Sequence, residues 1–511
     1  MTLALIGIIL SLALLITLAY RGHSVVAVAP FAASIAVVFS GAPLLASYTQ
    51  IFMPALGGFM ASFFPLFLVG AIFGRLMTVS GYAQDLASWI SRMLGPKFAI
   101  LVTTLATALL TYGGVSAWVV VFTIFPIATS LFREADIPKR LMPAAIALGI
   151  FTFATAALPG SPQIHNTIPT KYFGTNTFAA PFLGLLGAVV VFGLGMWWLT
   201  YRERKLAGAG ESFWDLTTLE HRDAEERGLA SDTSPSGPSG STTEGSPSRE
   251  GGPQGGGVAV ATRADVAVAD EERPGDSSAR AGLLGLLPIV VIVVVNALAT
   301  YLVLPAIDFG FLESDKYGGT TLEGVMGIWS VTVGMLAGIV AIFLMRPRLH
   351  REYVSSLSEG AKNAVLPVFN TASEVGYGAV IASLAVFAVV RDGIFNLSDN
   401  AIVVAALSTS GIAGLTGSAS GGLTITLETF GQDLQQMAVD QGTSMEVMHR
   451  VVAMASTGFD SLPHNGAIIT LLLVCGLTHR ESYKDIFAVT VVVPLIGLLV
   501  VAGLGAMFGA F

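Results

Sequence analysis

Two apolar stretches of this chain are interrupted in the same way. Leu158 to Ile168 reads L-P-G-S-P-Q-I-H-N-T-I, and Phe459 to Ile469 reads F-D-S-L-P-H-N-G-A-I-I. Each sets a His-Asn pair after prolines inside a hydrophobic run: His165-Asn166 in one, His464-Asn465 in the other. Upstream of each lies a Gly/Ser-rich break, Tyr112 to Ser116 in the first half and Thr416 to Gly422 in the second. Lipid offers no hydrogen bonds, so unwound backbone persists at membrane depth only where it lines a cavity or is buried in protein. Paired interruptions in corresponding positions of two halves point to a transporter binding site.

The rest of the chain fits that setting. Of its 511 residues, 53% are hydrophobic and 12% charged, against about 25% charged in soluble domains. Apolar runs of about 18 residues or more recur, each long enough to cross a bilayer. The expected class is an all-α polytopic membrane protein. The single cysteine, Cys475, excludes an intramolecular disulfide and a Cys-based metal cluster. The apolar run from Met1 to Ala19 follows no basic segment and is succeeded by a second run, Val25 to Ala46. It reads as a retained helix, not a leader. The sequence has no H-E-x-x-H, G-x-G-x-x-G or phosphate-binding P-loop, so no enzyme chemistry, metal or cofactor is expected. The net charge of −8 is shaped partly by a polar insert and identifies no partner. No nucleic-acid partner is expected.

Charge asymmetry sets the expected topology. Residues 1–62 hold N-terminal helices. Residues 63–205 form a first unit: a helix from Phe63 to Val79, a long apolar stretch from Phe98 to Phe132 broken at Gly113-Gly114, a helix broken at Pro159 to Asn166, and a helix from Phe182 to Leu199. Lys97 precedes the stretch, and Arg133, Lys139 and Arg140 follow it. If basic loops stay cytoplasmic, both ends face one side and the stretch is a re-entrant hairpin. Residues 206–280, rich in Ser, Pro, Gly and charge, read as a disordered cytoplasmic linker. Residues 281–363 are connecting helices, with acidic Asp308, Glu313, Asp315 and Glu323 outside and basic Arg346, Arg348 and Arg351 inside. Residues 364–511 form the second unit and last helix: a helix from Val365 to Val390, a hairpin from Ala401 to Val439, a broken helix from Val451 to Leu477, and a helix from Phe487 to Met507. By this count the units enter the membrane from opposite sides. They are two inverted repeats, each with a re-entrant helical hairpin and a broken transmembrane helix.

The candidate site residues follow from these breaks. At the hairpin tips, Gly113, Gly114 and Ser116, and Gly417, Ser418, Ser420 and Gly421, can offer backbone groups and hydroxyls to a small anion near half-helix termini. Close Gly/Ser helix packing is the plainer reading. At the breaks, Ser161, His165, Asn166 and Thr167, with His464 and Asn465, can bind carboxylate or hydroxyl groups. Their plainer role is capping freed backbone. Asn370 and Thr371 add polar groups to the first helix of the second unit. Asp460, Glu428 and Glu374 are carboxylates in apolar stretches, expensive in lipid and therefore functional candidates. Asp460, beside the break, is the favoured group for a coupling ion. Arg75 and Arg391 fall near helix ends and supply no obvious countercharge for substrate.

Three segments carry a family resemblance. Asn363 to Leu384 (N-A-V-L-P-V-F-N-T-A-S-E-V-G-Y-G-A-V-I-A-S-L), Gly414 to Gly431 and Asp460 to Leu471 resemble the gluconate permease (GntP) family. The resemblance covers most of the membrane portion and leaves out the 206–280 insert. It implies a bacterial inner-membrane, proton-coupled importer of small hydroxylated monocarboxylates, with elevator-type motion by analogy. The sequence is most similar to the 3-hydroxybutyrate permease branch. The resemblance also implies that the tips and breaks form the substrate site, and a scaffold of this kind suggests a homodimer. The expected function is proton symport of a hydroxy-monocarboxylate of the 3-hydroxybutyrate or gluconate class. A sodium-coupled carboxylate symporter and an anion channel are the alternatives.

Overall fold

The computed structural model describes residues 2–20, 23–215, 278–463 and 465–510. Its described residues form helices and no strands. Helices α1 (Thr2–Tyr20) and α2 (Val25–Ser40) are followed by α3, a helix of 36 residues spanning Leu44–Val79. Residues 47–62, ahead of the helix expected from Phe63 to Val79, are therefore helical. A π turn at Tyr48–Phe52 precedes Pro54, which sits in the first turn of the α-helical part that follows. Ahead of Lys97 the chain forms an amphipathic helix, α4 (Tyr82–Leu94). The chain then bends by 106° into the next helix.

Helices α5 (Ala99–Tyr112) and α6 (Ala117–Glu134) pack together as a hairpin. A broken helix follows: α7 (Met142–Ile150), one turn α8 (Phe153–Ala156), an extended break, and α9 (Ile164–Phe173). Helix α10 (Pro181–Gly208) closes the unit. The chain stays packed beyond Leu206. Phe213 is buried and donates its N–H to Asp136 Oδ1, and Arg140 pairs with Glu211 at 2.5 Å. Residues 216–277, most of the expected linker, lie outside the described residues.

Helices α11 (Ala279–Val303) and α12 (Leu322–Met345) pack side by side and lead to α13 (His350–Ser383). Helix α13 starts ahead of the expected boundary at 364. From there the order of elements recurs. A short helix α14 (Phe387–Phe395) precedes a hairpin of α15 (Ala401–Thr416) and α16 (Ala419–Asp440). The broken helix is α17 (Met445–Ser456), a single turn at Phe459–Ser461, and α18 (Gly466–Cys475). Helix α19 (His479–Phe508) ends the chain. Its start carries a capping box between Thr478 and Glu481.

Corresponding helices of the two units pack against each other in antiparallel sense. Gly360 of α13 meets Ile72 of α3, and Gly376 meets Phe52. Likewise Gly187 of α10 meets Val501 of α19, while Gly497 meets Val191 and Gly505 meets Leu183. Small residues at each contact let the backbones approach closely, the usual packing device where lipid supplies no hydrophobic drive. The broken helices cross: α9 rests on α16 and α17 of the other unit, and α18 rests on α6 and α7. At the other end of α10, Arg202 pairs with buried Asp485 of α19 at 2.6 Å, and Trp198 Nε1 donates to the same carboxylate.

Candidate functional site

Each break is bound to the tip of its own hairpin by an amide side chain. In the first unit, Gly114 turns the tip at φ +89°, a conformation open mainly to glycine. A Cβ there would stand 2.9 Å from Met335 Cε and 3.1 Å from Pro162. Gln163, just before α9, donates Nε2 to Thr111 O at 2.5 Å and to Val115 O at 3.4 Å. Tyr112 Oη donates to Pro159 O at 2.9 Å. In the second unit, Asn465 donates Nδ2 to Gly417 O at 2.9 Å. Its Oδ1 caps α18 by accepting from Ala467 N and Ile468 N. The structural counterpart of Asn465 is thus Gln163, the residue that precedes the second half-helix, and not Asn166. His464 lies outside the described residues.

Asn166 has a different task. It is fully buried, and its Nδ2 donates to Ser161 O at 3.0 Å and Thr177 O at 2.8 Å. Its Oδ1 accepts from Arg450 Nη1 at 2.8 Å and lies 3.3 Å from His449 Nε2. Arg450 is itself 0% exposed. It also donates to Ala156 O at 2.8 Å and, through Nε and Nη2, to Ala179 O at 3.2 and 2.6 Å. On the same face of α17, His449 Nδ1 bonds Thr175 Oγ1 at 2.7 Å and Glu446 accepts from Ala180 N at 2.9 Å. One turn of the second unit therefore holds the end of α8, the first turn of α9 and the loop that follows α9. The sequence reading started the second broken helix at Val451 and so missed Arg450. The available signal was a His-Arg pair flanked by Val447, Met448, Val451 and Val452.

The other candidates divide into satisfied and unsatisfied groups. Ser161 Oγ donates to Ala154 O, Thr167 Oγ1 to Gln163 O, and Thr371 Oγ1 to Pro367 O. Buried Asp460 accepts from Ser461 Oγ at 3.1 Å. Glu428 is partly exposed and accepts from Tyr172 Oη at 2.5 Å and Lys171 Nζ at 3.5 Å. Ser418 caps α16 by accepting from Gly421 N at 3.1 Å. Gly113 packs on Ile289, while Ser116 and Ser420 are half-buried at the two tips. By contrast His165 Nδ1, Asn370 Oδ1, Ser373 Oγ and Glu374 Oε2 are buried and without hydrogen-bond partners. Ser373 was not among the sequence candidates. Among the described residues no three His, Cys, Asp or Glu side chains converge as metal ligands.

Membrane-length apolar helices, crossed broken helices and orphaned polar groups beside their breaks are the features of a multi-pass membrane transporter. Residues 1–223 match the family described as GntP family permease. The chain is 39% identical over 495 residues to the uncharacterized transporter YxjC of Bacillus subtilis, covering 96% of each chain. It is also 31% identical over 134 residues to an uncharacterized transporter of Haemophilus influenzae, covering 26% of this chain and 30% of that one. The chain belongs to the GntP permease family.

Proposed function

We propose that this permease is a symporter that imports a small hydroxy-monocarboxylate, of the 3-hydroxybutyrate or gluconate class, across the bacterial cytoplasmic membrane by alternating access. The observation that carries the reading is the pair of tip-to-break contacts, Gln163 to Thr111 and Asn465 to Gly417, in two units whose matching helices pack antiparallel. That arrangement supports inverted repeats with re-entrant hairpins. The N-termini of α6, α9, α16 and α18 begin at these tips and breaks and can favour a substrate carboxylate. His165, with a free ring nitrogen, is the side chain of the first break best suited to meet a hydroxyl or carboxylate. Asp460 and Glu374 are the buried groups suited to a coupling ion. A proton is the coupling ion implied by the family. Sodium is a second reading, favoured by the orphaned oxygens on α13.

The test is uptake of radiolabelled 3-hydroxybutyrate and gluconate into proteoliposomes, with proton and sodium gradients imposed separately. Saturable accumulation above the external concentration supports symport. Flux that only equilibrates the acid and carries current supports an anion channel instead.

A further inference from the structure

A buried amide on α11 reaches the first break from outside both units. Asn296 interrupts the apolar run I-V-V-V-N-A-L, from Ile292 to Leu298, and is 0% exposed. Polar side chains within membrane helices are costly and mark functional positions. Asn296 Nδ2 donates to Gly160 O at 3.3 Å and to Thr177 Oγ1 at 3.1 Å. Thr177 O in turn accepts from Gly160 N at 2.9 Å and from Asn166 Nδ2 at 2.8 Å. Asn296 thus joins the same knot of backbone that carries His165 and Asn166. Ile289, two turns earlier on the same stripe of α11, packs on Gly113 of the first tip. The stripe therefore passes from tip to break. Helix α12 backs it, since a Cβ on Gly334 would stand 3.2 Å from Asn296 Cβ.

The amide fits in one orientation only. A carbonyl oxygen accepts and never donates, so the group facing Gly160 O is Nδ2. Oδ1 is then fixed as a buried acceptor, and it has no hydrogen-bond partner. Thr300, one turn on and 2% exposed, also has an unpartnered Oγ1. Thr424 and Thr426 of α16 return their hydroxyls to the carbonyl four residues back, but Thr300 does not. It sits in a π turn at Ala299–Val303, a geometry frequent at functional sites. An amide oxygen repels a carboxylate and takes an O–H. The only O–H of an ionised hydroxy acid belongs to its hydroxyl groups. A hydroxyl that donates to Asn296 Oδ1 can also accept from Thr300, and side chains one helical turn apart start from Cβ atoms about 5–6 Å apart. The carboxylate is left to the half-helix N-termini and His165.

We infer that Asn296 Oδ1, with the Thr300 hydroxyl one turn on, recognises the substrate's hydroxyl group and sets the preference for hydroxy acids over plain carboxylates. The inference rests on the hydroxy-monocarboxylate reading and adds a connecting helix to it as the specificity element.

The test is competition. Uptake of radiolabelled 3-hydroxybutyrate or gluconate into proteoliposomes is inhibited with unlabelled 3-hydroxybutyrate and, separately, with butyrate, which lacks only the hydroxyl. The wild type should prefer the hydroxy acid by roughly tenfold or more, because an analogue without the hydroxyl leaves buried polar groups unpaired. Thr300→Val is nearly isosteric and has no protein hydrogen bond to lose, so it should fold like wild type. It should weaken 3-hydroxybutyrate by roughly three- to tenfold, the worth of one hydrogen bond, and leave butyrate unchanged or tighter. Asn296→Ala should narrow the preference in the same way. It should also lower the unfolding midpoint, because it gives up Gly160 O. The ratio of the two acids is read within one preparation and does not depend on the folded fraction. A purely structural Asn296 would weaken both acids alike, and that result overturns the inference. So does a wild type that takes butyrate as readily as 3-hydroxybutyrate. Full preference retained in both variants overturns the inference alone and leaves the hydroxy-acid reading standing. A wild type that takes up neither labelled acid overturns that reading and the inference with it.

Discussion

Arg450 donates through Nη1 to Asn166 Oδ1 at 2.8 Å, joining residues 284 positions apart in the chain. The contact ties α17 of the second unit to α9 of the first. Because Arg450 also serves the carbonyls of Ala156 and Ala179, it joins the near edge of the first break to α9 and to the loop that follows α9. Ala156 ends the short helix α8, where a cation complements the negative end of the helix dipole.

Arg450→Met should therefore destabilise the protein strongly. It strips three neutral acceptors of a charged donor in a buried setting, where leaving one unsatisfied costs about 1–3 kcal/mol. Arg450→Lys keeps the charge but not the planar fork that reaches all three acceptors, and should fall between methionine and wild type. Thermal unfolding in detergent ranks the three proteins. Equal midpoints for methionine and wild type would show that the latch carries little stability.

Neighbouring residues should respond in opposite ways. Asn166→Ala removes one hydrogen bond each from Ser161 O, Thr177 O and Arg450 in a buried setting, and should lower stability by about 2 kcal/mol or more. His165 Nδ1 has no protein partner, so His165→Ala should leave the unfolding midpoint near wild type. It should instead raise the KM for substrate uptake by about tenfold, the worth of one hydrogen bond to a charged group. The opposite pattern would make His165 the structural residue and Asn166 the ligand.

The contrast also marks where sequence reading reached its limit. Helical membrane class and the two breaks were legible because lipid penalises polar backbone, leaving its trace in local residue order. Roles within the breaks were not. Asn166 and Gln163 both look like polar residues beside prolines, yet one binds a distant arginine and the other a hairpin tip 52 residues upstream. Arg450 fell just outside the broken helix read from Val451 to Leu477. Its burial depends on acceptors 271 to 294 positions away, which no local pattern reports. The first helix of the first unit is longer than the stretch from Phe63 to Val79 read from sequence, running back to Leu44 through a π turn.

The antiparallel packing of α10 on α19 and of α3 on α13 predicts a testable topology. In a Cys475→Ala background, Glu313→Cys should react with a membrane-impermeant maleimide from outside intact cells. Arg204→Cys, at the end of α10, should react only after permeabilisation. Labelling of both from the same side would rule out the inverted arrangement of the units.

Glu428 offers the sharpest separation between a coupling group and a structural one. Its side chain is 34% exposed and faces Lys171, itself 37% exposed, at 3.5 Å. An ion pair this open contributes about 0–1 kcal/mol. Its shorter contact is to Tyr172 Oη at 2.5 Å, and a glutamine carbonyl can accept that bond as well. Tyr172 also packs on Gly431, one turn along α16, so the ring is held even without the charge. Glu428→Gln should therefore preserve gradient-driven accumulation, with at most a modest loss of rate. Glu374, by contrast, is buried with an oxygen that no protein group satisfies. Accumulation assays on Glu428→Gln and Glu374→Gln, each normalised to counterflow in the same vesicles, separate the two. If accumulation fails in Glu428→Gln while counterflow persists, the coupling role moves to the α9–α16 contact.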